Sequence, residues 1–72
     1  MFFVENKFKN ILKELRTEKG LTQIDLAREL KTYQQNVSEW ESGKKKPSMF
    51  AIIELAKFFD VTVGQLLGTE EY

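Results

Sequence analysis

The chain has 72 residues, no cysteine, no histidine and a formal net charge of zero. That length fits one small domain, and the missing residue types exclude disulfide staples, thiol nucleophiles, imidazole bases and the two commonest zinc ligands. No apolar run approaches the roughly 20 residues of a membrane span, and the opening MFFVENKFKN lacks a signal peptide's apolar stretch, so a cytoplasmic, membrane-free protein is expected.

Apolar residues recur at helical spacing along the chain, and no strand is expected. After a short N-terminal arm, a first helix over residues 7–19 carries Phe8, Ile11, Leu12 and Leu15 as its apolar stripe, with Gly20 as its stop. The second helix has the strongest start signal. Thr22 is its N-cap, Asp25 stands three residues on as a short capping-box acid, and Leu21 and Leu26 fit the hydrophobic staple. Leu26, Ala27 and Leu30 face inward, and the small Ala27 admits a close crossing.

A third helix over residues 34–42 turns Val37 and Trp40 inward. Gln35, Ser38, Glu39 and Ser42 lie opposite, with Gln34 on the flank. Gly43 ends it, and GKKKP is a loop. Ser48 caps a fourth helix over 49–59, apolar nearly all round except for Glu54 and Lys57, the mark of a central helix or one pressed against a partner. Thr62 caps a short fifth helix ending near Leu67, and residues 68–72 read as a frayed tail. Only Lys31, Thr32 and Tyr33 separate the second and third helices, which forces the sharp corner of a helix-turn-helix.

Net charge hides a gradient. Between Lys7 and Lys46 ten basic residues stand against six acids, whereas from Pro47 onward Lys57 faces Glu54, Asp60, Glu70 and Glu71. The middle is therefore basic and the end acidic, and a local field can matter where the net charge does not. Gln34 and Gln35 are also out of place for a merely structural helix start, because long amides bury no apolar surface and cap weakly. Taken alone, two such glutamines are most often solvated surface.

The segments LKELRTEKGLTQIDLAREL, VSEWESGKKKPS and IIELAKFFDVTVGQLL, in this order and spacing, make the chain resemble helix-turn-helix proteins of the Cro and lambda-repressor type, the xenobiotic-response-element family. The resemblance covers residues 11–67. It implies an all-α, compact five-helix bundle binding double-stranded DNA at a palindromic operator, usually as a homodimer. Helix 34–42 would enter the major groove. Gln34, Gln35, Ser38 and Glu39 would face base edges, glutamine pairing bidentately with adenine N6 and N7. Thr22, Gln23, Tyr33, Lys44, Lys45, Lys46 and Ser48 would lie along the phosphate backbone, with Gln23 also bracing Gln34. Arg16 and Glu41 would form a partly buried ion pair joining the first and third helices.

Four departures from the family pattern stand out. Lys31 replaces a usual glycine, so a positive φ would strain it and a differently built turn is expected. Tyr33 replaces a capping Ser or Thr, which leaves Thr32 as an alternative cap with a shifted start. Glu39 either accepts from cytosine N4 or repels phosphates. Ile24 and Phe50 stand at usually polar positions and, with Phe2, Phe3 and Phe58, suggest surplus apolar surface, with Phe50 and Phe58 as a dimer seam or the N-terminal arm folded over the bundle.

The expected function is a sequence-specific DNA-binding regulator of prokaryotic or phage type, a homodimeric repressor or activator, with repression the first expectation. The alternative is a protein-interaction module or antitoxin-type regulator whose apolar surface binds a protein partner. No cofactor is expected. An enzyme is disfavoured, since Ser38 and Ser42 have no base to activate them and there is no phosphate-binding glycine loop.

Overall fold

In the computed structural model, which describes residues 2–70 with side chains from Lys7 onward, five helices follow in chain order: α1 Phe2–Glu18, α2 Gln23–Leu30, α3 Gln34–Ser42, α4 Met49–Phe59 and α5 Val63–Leu67. No strand occurs among the described residues. α1 begins at Phe2 rather than at Lys7, because nothing between them breaks a helix, so residues 2–6 are its first turn rather than an arm. The side chains of Phe2 and Phe3 lie outside the described residues.

The helices close around Phe8, Leu12, Leu26, Ala27, Val37, Trp40, Leu55, Ala56, Phe59 and Leu66, all buried. α2 packs on α3, α1 on both α3 and α5, and α4 on α5. Leu12, Leu26, Val37, Leu55 and Leu66 have no exposed surface, so every helix gives the core at least one sealed side chain. The α2–α3 contact sets which face of α3 is left outward. Buried Ala27 carries almost no side chain there, and Val37 and Trp40 fix which face of α3 is left outward.

Local chemistry sets the ends. Thr22 caps α2 with its hydroxyl accepting from the Asp25 amide at 3.0 Å, while the Asp25 carboxylate accepts from the Thr22 amide at 2.9 Å. Thr62 and Gln65 repeat this reciprocal arrangement at α5, at 2.9 and 3.0 Å. Ser48 caps α4 through the Ala51 amide at 3.1 Å. Residues 68–70 are not a frayed end. The Thr69 amide donates to the Gly64 carbonyl at 2.9 Å and the Thr62 hydroxyl donates to Glu70. Glu71 and Tyr72, the rest of the expected tail, lie outside the described residues.

The corner between α2 and α3 departs from expectation at two residues. Lys31 is left-handed, φ 57° and ψ 46°, so the turn keeps the geometry of a glycine with a lysine in it. The Thr32 amide, donating to the Ala27 carbonyl at 2.9 Å, closes the turn. Thr32 does not cap α3: its hydroxyl accepts from the Asn36 side chain at 2.8 Å. Tyr33 is the N-cap residue by backbone, with no side-chain cap bond.

Candidate nucleic-acid interface

α3 presents its outward face because Val37 and Trp40 bury the other. Gln34 and Gln35 are exposed at its first turn, with Ser38 and Glu39 half-buried one turn on and exposed Ser42 at the far end. Of the four helix starts with a described cap residue, only α3's lacks a side-chain cap. The Asn36 amide donates to the Tyr33 carbonyl at 3.0 Å, and the positive end of the helix dipole lies at this start beside the two glutamines.

Each glutamine has a partner. The Gln34 amide nitrogen donates to Gln23 Oε1 at 2.9 Å, which joins the starts of α2 and α3. The Gln35 amide nitrogen donates to Glu39 Oε2 at 3.1 Å, an i,i+4 bond along the face. Glu39 also has the Lys45 ammonium at 3.9 Å, and Lys45 donates to Asn36 Oδ1 at 3.0 Å. The Glu39 charge is thus partly offset from within the chain. Asn36, which sequence reasoning passed over, ties the α2–α3 corner to the lysine loop through Thr32 and Lys45. Its i,i+4 spacing from Thr32 was the available signal.

Beneath the face lies the ion pair. Arg16 Nε meets Glu41 Oε2 at 2.6 Å and its Nη2 meets Oε1 at 2.9 Å, while Nη1 donates to the Leu21 carbonyl at 2.8 Å. The two side chains are only 10% and 4% exposed, so α1, the α1–α2 loop and α3 are pinned at one buried point. The hydrogen bonds and charge of Glu41 hold the Arg16 guanidinium above its ordinary pKa despite burial. Glu41 Oε1 accepts one bond more, from the Gln23 amide at 3.1 Å.

The proposed backbone-facing residues are spread around this face. Lys44, Lys45 and Lys46 are exposed in the loop after α3, and Tyr33 is 79% exposed at its start. Thr22 and Ser48 are exposed, but each hydroxyl is engaged in its own cap, and at α2 the Asp25 carboxylate occupies the amide end. The Thr22 backbone N–H and hydroxyl hold that carboxyl below its usual range.

The apolar surplus divides. Phe50, 73% exposed, stands with Met49 and Ile53 on the outer side of α4 and lines an open groove of about 460 Å³ with Asn36, Trp40 and Lys46. Phe58 does not belong to that surface. It is half-buried against the core, edge-on to Phe59 at 5.0 Å, with the Lys19 ammonium over its ring at 5.2 Å. Among the described residues no group of acids is placed to hold a metal, and no helix is long and apolar enough to cross a membrane.

A family model described as helix-turn-helix matches residues 12–66. The chain is 45% identical over 65 residues to the HTH-type transcriptional activator BcrR of Enterococcus faecalis, covering 90% of this chain but only 32% of that protein. It is 38% identical to an uncharacterized HTH-type transcriptional regulator, MJ0272, of Methanocaldococcus jannaschii, covering 88% of this chain and 96% of that protein. With the HTH-type transcriptional regulator ImmR of Bacillus subtilis it shares 32% identity over 83% of its length, which is 47% of the relative. The chain thus spans about a third of the first relative, nearly all of the second and about half of the third.

Proposed function

The chain belongs to the helix-turn-helix family of DNA-binding transcriptional regulators, of the Cro and lambda-repressor type, and we propose that it binds a palindromic operator sequence-specifically as a homodimer with α3 in the major groove. The observation that carries this reading is the pair of exposed glutamines at the first turn of α3, where no side chain caps the helix. Gln34 and Gln35 read base edges, with Ser38 and Glu39 behind them. Lys44, Lys45, Lys46 and Tyr33 flank the phosphates, helped by the positive end of the α3 dipole. Thr22, Gln23 and Ser48 complete the backbone set at the starts of α2 and α4.

The sign of regulation we propose is repression. Occupying DNA is enough to block a promoter. The second copy docks on the outer side of α4 around Phe50, with Met49 and Ile53. The same exposed face supports a second reading, a different protein partner, which would bind without DNA and regardless of salt.

Binding measured on an operator and its single-base variants tests the division of labour. Gln35→Ala is expected to flatten discrimination at one base pair by roughly 1–3 kcal/mol while leaving the others alone. Lys45→Ala is expected to weaken every variant alike and lower the slope of log affinity against log salt by about 0.9 per lost phosphate contact. Unchanged base ratios in Gln35→Ala contradict base reading by that residue.

A further inference from the structure

We infer that Glu41 is a positioning residue for base recognition: through Gln23 it dictates which way round the Gln34 amide faces. The inference rests on the reading of Gln34 as a base-contacting residue. Four side chains form a continuous relay from the buried interior to the tip of α3. Arg16 donates two bonds to Glu41, Gln23 Nε2 donates to Glu41 Oε1 at 3.1 Å, and Gln34 Nε2 donates to Gln23 Oε1 at 2.9 Å.

The directions in this relay follow from chemistry. An ionised carboxylate only accepts, so the end of Gln23 that meets Glu41 must be its NH2 group. The other end, its carbonyl, is then turned to Gln34, and a carbonyl also only accepts. Gln34 must therefore offer its own NH2 to Gln23. What remains on Gln34 for a ligand is one N–H and a carbonyl with both acceptor sites open. That is the complement of adenine, whose N7 accepts and whose N6 donates. A glutamine free to rotate about its last bond presents either order of donor and acceptor, so the relay removes that ambiguity before DNA arrives. Glu41 is well suited to anchor it, since its side chain is 4% exposed and held by two arginine bonds.

Glu41→Gln changes the anchor's chemistry. Its amide keeps an oxygen where Arg16 Nη2 and Gln23 both donate, so the acceptor facing Gln23 stays in place but loses its charge and its grip on Arg16 Nε. Gln23→Met breaks the relay at its middle with a side chain of similar length and leaves the Arg16–Glu41 pair in place. The test uses a duplex recovered by wild-type protein from a random pool, with Gln34→Ala locating the base pair that Gln34 reads. Wild type, Gln23→Met and Glu41→Gln are then titrated against the four variants of that base pair, with thermal melts run alongside.

Gln23→Met is expected to lose roughly tenfold of the discrimination at that base pair and little at others. Glu41→Gln is expected to keep the order of preference there and lose part of the discrimination. Without DNA, the two Gln34 side-chain amide proton resonances are expected to be displaced from free-glutamine positions in wild type and to return to them in Gln23→Met. If Glu41→Gln fails to fold, Gln23→Met decides. Equal weakening of all four variants by Gln23→Met, or Gln34 amide resonances already free in wild type, overturns the relay and leaves the DNA-binding reading standing. A wild-type protein that enriches no sequence overturns both.

Discussion

A lysine in the left-handed region shows how much a single residue conceals from a sequence reading. The turn between α2 and α3 needs a positive φ, and the sequence offers Lys31 there, which suggested a different turn. The structure keeps the turn and places the strain in Lys31, because the inward residues on either side, Ala27, Leu30 and Val37, tie the corner to the core. Left-handed backbone costs a non-glycine residue about 1–2 kcal/mol. Lys31→Gly relieves that cost but also loosens the unfolded chain, so a net gain of about 0.5–1 kcal/mol is expected in denaturant titration. A loss of stability would show that the lysine is not strained. Asp25 gives a residue-scale pH effect. Its carboxyl titrates lower in the folded chain than in the unfolded one, so its contribution is full above the ordinary carboxylate range. The contribution is lost as pH falls through the lowered value. Melting temperatures of wild type and Asp25→Asn should therefore differ near neutral pH and converge in acid. A gap that stays constant into acid contradicts this.

At the scale of elements, the helices were legible and their joins only in part. Apolar spacing located all five, because each buries one stripe against a shared core. Thr22, Ser48 and Thr62 marked three starts, since a hydroxyl cap is a local signal. The first turn of α1 and the tethering of residues 68–70 carried no such signal. The tethering depends on what those residues meet in the fold, as the Thr62–Glu70 hydrogen bond illustrates. The links between α2 and α3 through Gln23, Gln34 and Glu41 belong to the same class. The Gln23–Gln34 brace was suggested by family resemblance, whereas the Gln23–Glu41 bond appears only in three dimensions. Phe58 and Phe50 differ for a similar reason: eight residues apart on one helix, they point about 80° apart, one over the core and one to solvent. The strongest join is Arg16–Glu41. Removing Glu41 leaves an arginine buried without its carboxylate, so Glu41→Ala should cost about 3–5 kcal/mol. An unchanged melting temperature would mean the pair is decorative. Because the Arg16 pKa is raised, the pair's contribution is present below the unfolded value and lost only as pH rises through the raised one, so it is constant across the neutral range.

On the scale of the whole molecule, a net charge of zero conceals a basic middle and an acidic end, so composition alone underrates the case for DNA. The exposed side of α4 is the second whole-molecule feature. If a second copy covers it, Phe50→Glu should shift sedimentation toward monomer and lower operator affinity, because a dimer engages two half-sites and a monomer one. Sedimentation unchanged by Phe50→Glu would place the dimer contact elsewhere. The central claim is that α3 reads a specific duplex sequence, and selection of bound duplexes from a random pool, followed by titration of the winner at two salt concentrations, tests it most directly. The account predicts a palindrome with half-sites about 10 bp apart, bound less tightly as salt rises. Equally weak binding to every duplex, with no sequence enriched, would contradict it.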